Sequence, residues 1–127
     1  MRVRGASAAE ALGRLSLAMS QLLSGGGPVA ASPGEGALVQ VDGGPDLAGS
    51  AVALLRELLY RFATAREIAA AIEVVRVDPA GASARVAFGP YDRARHAEGL
   101  DLKAVTRHAA RLEREGDGWL AQAVFDV

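Results

Sequence analysis

Leu47, Leu54, Leu55, Leu58, Leu59 and Phe62 recur at helical spacing and spread over a broad face of the helix they imply. A helix with so wide an apolar face cannot stand in water; it must lie against a sheet. Asp46 precedes the run and can cap it, so the spacing predicts a helix over about 47–62. A second helix is announced by Ser7-Ala8-Ala9-Glu10, where the Ser side chain accepts from the backbone three residues on and Glu10 reaches back. Leu12, Leu15, Met19 and Leu22 then follow at steps of three and four, which predicts a helix over about 8–23 with a core-facing stripe.

The rest of the chain reads as strands and turns. Arg2-Val3-Arg4 alternates and is broken by Gly5, and Ala37–Val41 forms a short strand closed by Asp42-Gly43-Gly44-Pro45. Ile68–Val77 is rich in β-branched residues, Asp78-Pro79-Ala80-Gly81 turns it, and Ala84–Phe88 answers as the partner strand. Residues 89–99 are irregular and polar, with Tyr91, Asp92, Arg93, Arg95, His96 and Glu98. Strands over about 102–113 and 119–127 are joined by a turn containing Asp117-Gly118, a strong hairpin signal. Alternation along the last strand puts Trp119, Ala121, Ala123 and Phe125 on one face, and Leu120, Gln122, Val124 and Asp126 on the other. The expected register makes Phe125 a buried anchor and turns Asp126 away from the core. The fold class is therefore α+β, two helices packed on a mainly antiparallel sheet, in a single domain spanning 1–127.

Composition removes several function classes. The chain has 127 residues, and half are apolar but only 5% aromatic, so its core must be built from Ala, Val and Leu. A formal net charge of −1 gives no electrostatic case for strong direct nucleic-acid binding. The absence of cysteine excludes disulfides, thiolate zinc sites and a Cys nucleophile. Residues 24–36 are rich in Gly, Ser and Pro but lack Walker spacing, which argues against a phosphate cradle. No apolar run approaches the ~20 residues of a membrane span, and the start of the chain does not read as a secretory leader. The expectation is a soluble, cytoplasmic protein with no membrane contact.

The candidate chemistry lies near the carboxyl end. Asp126 is followed directly by Val127, whose terminal carboxylate is a second anion. Adjacent carboxylates can converge on a hard cation, which takes oxygen ligands. Lys103 sits among apolar neighbours and is either a lysine with its ammonium in water or a fixed cation near those carboxylates. His96 and His108 are the only histidines. They could act as general acids or bases or bind a metal, but no third zinc ligand is evident near them in sequence and structural hydrogen bonding is the default. Arg93, Arg95 and His96 form a mild basic cluster, either a contact surface or a solvated loop.

Several pieces taken in order resemble the archease family: Gly5-x-Ser7-x-x-Glu10, the Leu54–Tyr60 segment, Asp92-x-x-Arg95-His96, Leu102-Lys103-Ala104-Val105-Thr106-x-His108, and the closing Phe125-Asp126-Val127. The resemblance covers nearly the whole chain. It implies a small α+β protein that is not itself an enzyme. Such a protein helps an RtcB-type RNA ligase form its guanylylated intermediate and turn over repeatedly in tRNA splicing or RNA repair. It further implies a divalent cation, Ca²⁺ or else Mg²⁺ or Mn²⁺, held by Asp126 and the Val127 carboxylate. Lys103, Arg95, His96 and His108 are then the expected partner-binding residues. Two departures stand out. The His-Thr-Ala-Asp motif that the family carries on its first strand is absent, so the expected cation site is weakened. Arg107 also replaces the Tyr that usually precedes the His of the Val-Thr-x-His segment.

Three functions compete. An RNA-ligase activator is marked by the lysine segment together with the terminal aspartate. A small metal-dependent hydrolase would use His96 or His108 as its base and turn over alone. An assembly helper or chaperone for an RNA-modifying enzyme would bind its partner without affecting ligation.

Overall fold

A computed structural model describes residues 1–96 and 99–127. Glu98, named above in the irregular polar segment, lies outside the described residues. The elements run β1 (Arg2–Gly5), α1 (Ala8–Ser24), β2 (Ala37–Asp42), α2 (Leu47–Ala65), β3 (Glu67–Asp78), β4 (Gly81–Pro90), α3 (Arg93–His96), β5 (Ala104–Glu115) and β6 (Gly118–Asp126).

The expected helices form at the expected places because their ends are chemically marked. The Ser7 hydroxyl accepts from the Glu10 N–H at 3.1 Å, and the Glu10 carboxylate accepts from the Ala6 N–H at 3.0 Å. Gly25 closes α1 with φ 67, a left-handed conformation that costs glycine little. Asp46 caps α2 by accepting from the Gly49 N–H at 2.9 Å. In α1, Ser16, Ser20 and Ser24 are buried, and their hydroxyls donate to carbonyls of the preceding turn, at Leu12, Ser16 and Gln21 respectively. The polar atoms are thereby paired within the helix, and a row of small side chains is left to face its neighbours.

The α+β class holds, but the strands form two sheets rather than one. One three-stranded antiparallel sheet has the order β1-β6-β5 and the other β2-β4-β3. Both helices touch both sheets: α1 packs on β3 as well as β1 and β6, and α2 packs on β5 as well as β2, β3 and β4. The broad apolar face of α2 is explained by this double duty. Ala51, Val52, Leu54, Leu55, Leu58, Leu59 and Phe62 are all buried, and with Leu12, Leu15, Met19, Val39, Ile68, Val86 and Val105 they form a single core.

The final hairpin has the expected alternation, with Ala121 and Ala123 fully buried in that core. Two side chains differ from expectation. Phe125 is half-buried rather than a buried anchor, because it sits near the end of β6, one residue before the exposed Asp126. Leu120 is on the face away from the helices yet only 1% exposed. By register it lies between Arg4 of β1 and Glu113 of β5, and the Arg4–Glu115 ion pair is made from the same two strands. The aliphatic stems of such residues can cover apolar surface while their charges stay wet.

Among the described residues no helix is long and apolar enough to cross a membrane.

Candidate functional site

The β5–β6 ladder brings together the start of one strand and the end of the other. Ala104 pairs with Asp126 and Val105 with Phe125. The Lys103 N–H donates to the Asp126 carbonyl at 2.8 Å, continuing the ladder one step beyond β5. Lys103, Asp126 and Val127, separated by more than twenty positions in sequence, are therefore neighbours at one exposed corner of the β1-β6-β5 sheet, and all three side chains are exposed. Leu102 and Val105 on either side are buried and anchor the segment that carries the lysine.

The amino terminus reaches the same sheet. The Met1 amine donates to the Ala123 carbonyl at 2.8 Å, and the Ala123 N–H donates back to the Met1 carbonyl at 3.0 Å. As donors, two carboxylates suit a hard cation in kind but fall short in number, since Ca²⁺ takes about six to eight oxygens. Among the described residues no group of three or more His, Asp or Glu side chains converges as a metal cage.

The histidines part company. His96 is 2% exposed, the most deeply buried ionisable side chain in the molecule's described part. Its Nδ1 accepts from the Asp92 N–H at 2.8 Å, which makes Nε2 the donor to the Pro28 carbonyl at 3.2 Å. The Tyr91 ring lies 5.5 Å away and its hydroxyl donates to the His96 carbonyl at 3.3 Å. Both ring nitrogens are thus spent on holding the segment after β4 against the loop after α1. His96 does not present its ring to a partner, nor does it have a nitrogen left to serve as a hydrolytic base. Arg95, one residue earlier, points outward with a side chain 59% exposed and a loose 3.7 Å ion pair to Asp92.

His108 is exposed and sits on a feature that local pattern did not reveal. β5 is regular as far as Thr106, then slips against β6, so that Arg111 is the next paired residue, opposite Gln122. Residues 107–110 bulge out. Ala109 adopts φ 56, the Gln122 side chain donates to the Ala109 carbonyl at 2.7 Å, and the Thr106 hydroxyl accepts from the His108 N–H at 3.0 Å. Arg107 ties the bulge to the start of α2, reaching both Asp46 oxygens at 2.7 and 2.9 Å. The Gly49 N–H, and after it the Arg107 guanidinium, hold the Asp46 carboxyl below its usual range. Arg107 therefore has a structural use in this chain. The only sequence hint was an acidic cap and an unpaired basic residue, and nothing local could have joined them.

An open groove of about 470 Å³ lies elsewhere, between α1 and β3, bordered by Glu10, Gly13, Arg14, Leu17, Glu73 and Val74. Ser7 also lines it, but its hydroxyl and the Glu10 carboxylate are engaged in capping α1.

The family model of the Archease protein family (MTH1598/TM1083) matches residues 1–127. The chain belongs to the archease family. Among solved structures it is similar to the crystal structure of an archease from Thermotoga maritima, described as a possible chaperone. The TM-score is 0.65 at 19% sequence identity, and the match covers 100% of this chain and 88% of that one. At that identity the likeness speaks for the fold. No significant match is found among curated proteins. The archease fold agrees with the α+β arrangement of two long helices on antiparallel strands.

Proposed function

We propose that this chain is a non-catalytic, archease-type activator of an RtcB-type RNA ligase, promoting guanylylation and multiple turnover in tRNA splicing or RNA repair, and working in the cytoplasm. The observation that carries the reading is the corner where Lys103, Asp126 and the Val127 carboxylate meet. A backbone hydrogen bond from Lys103 to Asp126 holds a basic and an acidic residue, both exposed, at the same end of the ladder. Such a corner suits recognition of a partner's charged surface, since complementary charge steers encounter and sets register. Arg95 and His108 are exposed candidates for further contacts, and His96 serves by fixing the segment that presents Arg95.

A divalent cation, Ca²⁺ or alternatively Mg²⁺ or Mn²⁺, belongs to the same reading, with Asp126 and the terminal carboxylate as its ligands from this chain. When bound it would supply positive charge at the corner and draw the two carboxylates together. The register of β1 adds a design for testing this. Met1 faces Ala123, so a strand extended backwards would place the residues one, two and three before Met1 opposite Val124, Phe125 and Asp126. An aspartate added at the third of these positions should tighten cation binding measured by calorimetry, and Asp126→Ala should abolish that gain. Equal binding with and without Asp126 would remove the assignment.

The activator reading is tested in RNA-joining assays with the cognate ligase limiting. The protein should raise the number of turnovers, and Lys103→Ala should reduce the stimulation without altering the thermal unfolding midpoint. Absence of stimulation, with the two proteins still binding each other, would instead favour an assembly helper. That role is in keeping with the description of the Thermotoga maritima protein as a possible chaperone.

A further inference from the structure

Among the described residues the open sheet edges are unequally guarded. Exposed strand edges carry unpaired N–H and C=O groups and are templates for another strand, and proteins blunt them with charge, bulges or brevity. β3 is an edge strand with irregularities between Ala69 and Ala71 and between Val74 and Arg76. β5 is an edge strand broken by the 107–110 bulge. β1 has four residues, and two of them are arginines. β2 is the least guarded: its one charge is Asp42 at its last position, it is free of proline, and its pairing with β4 is unbroken from Ala37 to Asp42.

The direction of its free hydrogen-bonding groups can be worked out. The Gly43 N–H donates to the Ala80 carbonyl, one step beyond the Asp42–Gly81 pair. In an antiparallel ladder, residues facing the partner alternate with residues facing away. Ala37, Val39 and Val41 therefore bond to β4, while Leu38, Gln40 and Asp42 aim their N–H and C=O groups at the open edge. Leu38 is 51% exposed and Val39 fully buried, so the outer and inner faces of the strand are distinct.

We infer that β2 is a self-association edge that pairs antiparallel with β2 of a second copy of this chain, joining two sheets into one of six strands. The strand complements itself. A two-fold axis at Val39 sets Leu38 against Gln40 of the other copy and Ala37 against Val41, keeping the inner and outer faces continuous. The outward-aimed groups of Leu38 and Gln40 then meet in hydrogen-bonded pairs. Asp42 falls opposite Gly36, so no like charges oppose each other directly. The same two-fold serves both chains, as an isologous contact requires. A contact of one short strand pair is below the ~1,200 Å² of standard interfaces, so the association is reversible and concentration-dependent.

The test is sedimentation of the isolated chain from micromolar to millimolar concentration, together with amide exchange. The parent should shift from monomer to dimer, and the Leu38 and Gln40 amides should gain protection as the dimer forms. Gln40→Pro removes an N–H that faces the open edge and not β4, and Leu38→Lys adds charge at that edge. Each should raise the dissociation constant at least tenfold, about 1.4 kcal/mol, and Leu38→Lys covers the case in which the proline variant does not fold. A parent that stays monomeric throughout, a dimer indifferent to Leu38→Lys, or protection gained at another edge would overturn the inference. The assay contains no ligase, so its outcome is separate from that of the activator reading.

Discussion

Leu120→Ala is the most discriminating stability measurement, because Leu120 is buried where alternation alone would leave it in solvent. The side chain is 1% exposed and stands outside the continuous core. Truncation to alanine removes three carbons; at about 0.8 kcal/mol per buried methylene-sized group the transfer loss is about 2.4 kcal/mol. A cavity term would add to this in a rigid site. Here the register neighbours are Arg4 and Glu113, flexible chains that can settle into the space. The expected loss is therefore about 2–3 kcal/mol. Leu15→Ala is the control, since Leu15 is fully buried within the core shared by α1 and the strands, where neighbours cannot collapse. It should cost about 3–5 kcal/mol. Urea unfolding of both variants at a common slope measures the difference. A loss below about 1 kcal/mol for Leu120→Ala, or one equal to that of Leu15→Ala, would refute the account of charged stems roofing the outer face.

Phe125→Ala should cost about 1–3 kcal/mol, less than a fully buried ring, because Phe125 is only half-buried; urea unfolding checks it, and a loss above this range would mean the ring is enclosed. Gly5→Ala should destabilise despite its small size, since an added Cβ would lie 2.5 Å from the Ala11 nitrogen and 2.9 Å from its Cα; a thermal midpoint equal to the parent's would contradict the close approach of β1 to α1. Asp46 and Asp78 both have carboxyls held below the ordinary 3.8, Asp46 chiefly by the Gly49 N–H and Asp78 chiefly by Arg76. A depressed carboxyl stabilises above its unfolded value and loses that contribution as pH falls through the folded value. Acid unfolding below about pH 4 should thus be shallower in Asp46→Asn, as read by circular dichroism. His96→Phe keeps a ring but leaves the Asp92 N–H and Pro28 carbonyl unpaired, which costs about 1–3 kcal/mol or more in a buried site; faster proteolysis within 25–36 is the expected sign.

The helices, their caps and the last hairpin were legible in the chain because their signals are local. A capping box spans four residues, a helical stripe repeats every three or four, and an Asp-Gly turn joins strands that are already neighbours. Ser7 with Glu10 and Asp46 with Gly49 do in the structure what their positions imply. The hairpin forms where Asp117-Gly118 announces it, but with Gly116 and Asp117 as its turn residues and Gly118 already paired with Glu115. The candidate residues Lys103 and Asp126 were also legible as residue types, through the family resemblance.

Tertiary structure alone decided which strands share a sheet, since period-two alternation says which face is buried but not which partner is bonded. It split six strands into two sheets and set β1 beside β6, more than a hundred residues away. It also opened the bulge at 107–110, because the Arg107 contact with Asp46 spans sixty-one positions and leaves no periodic trace. His96 is the clearest case. Structural hydrogen bonding is its default reading, but the sequence could not name the partners: two backbone groups from separate loops, Asp92 N–H and Pro28 C=O, lie where the ring nitrogens can pair with them, and that pairing makes its burial tolerable.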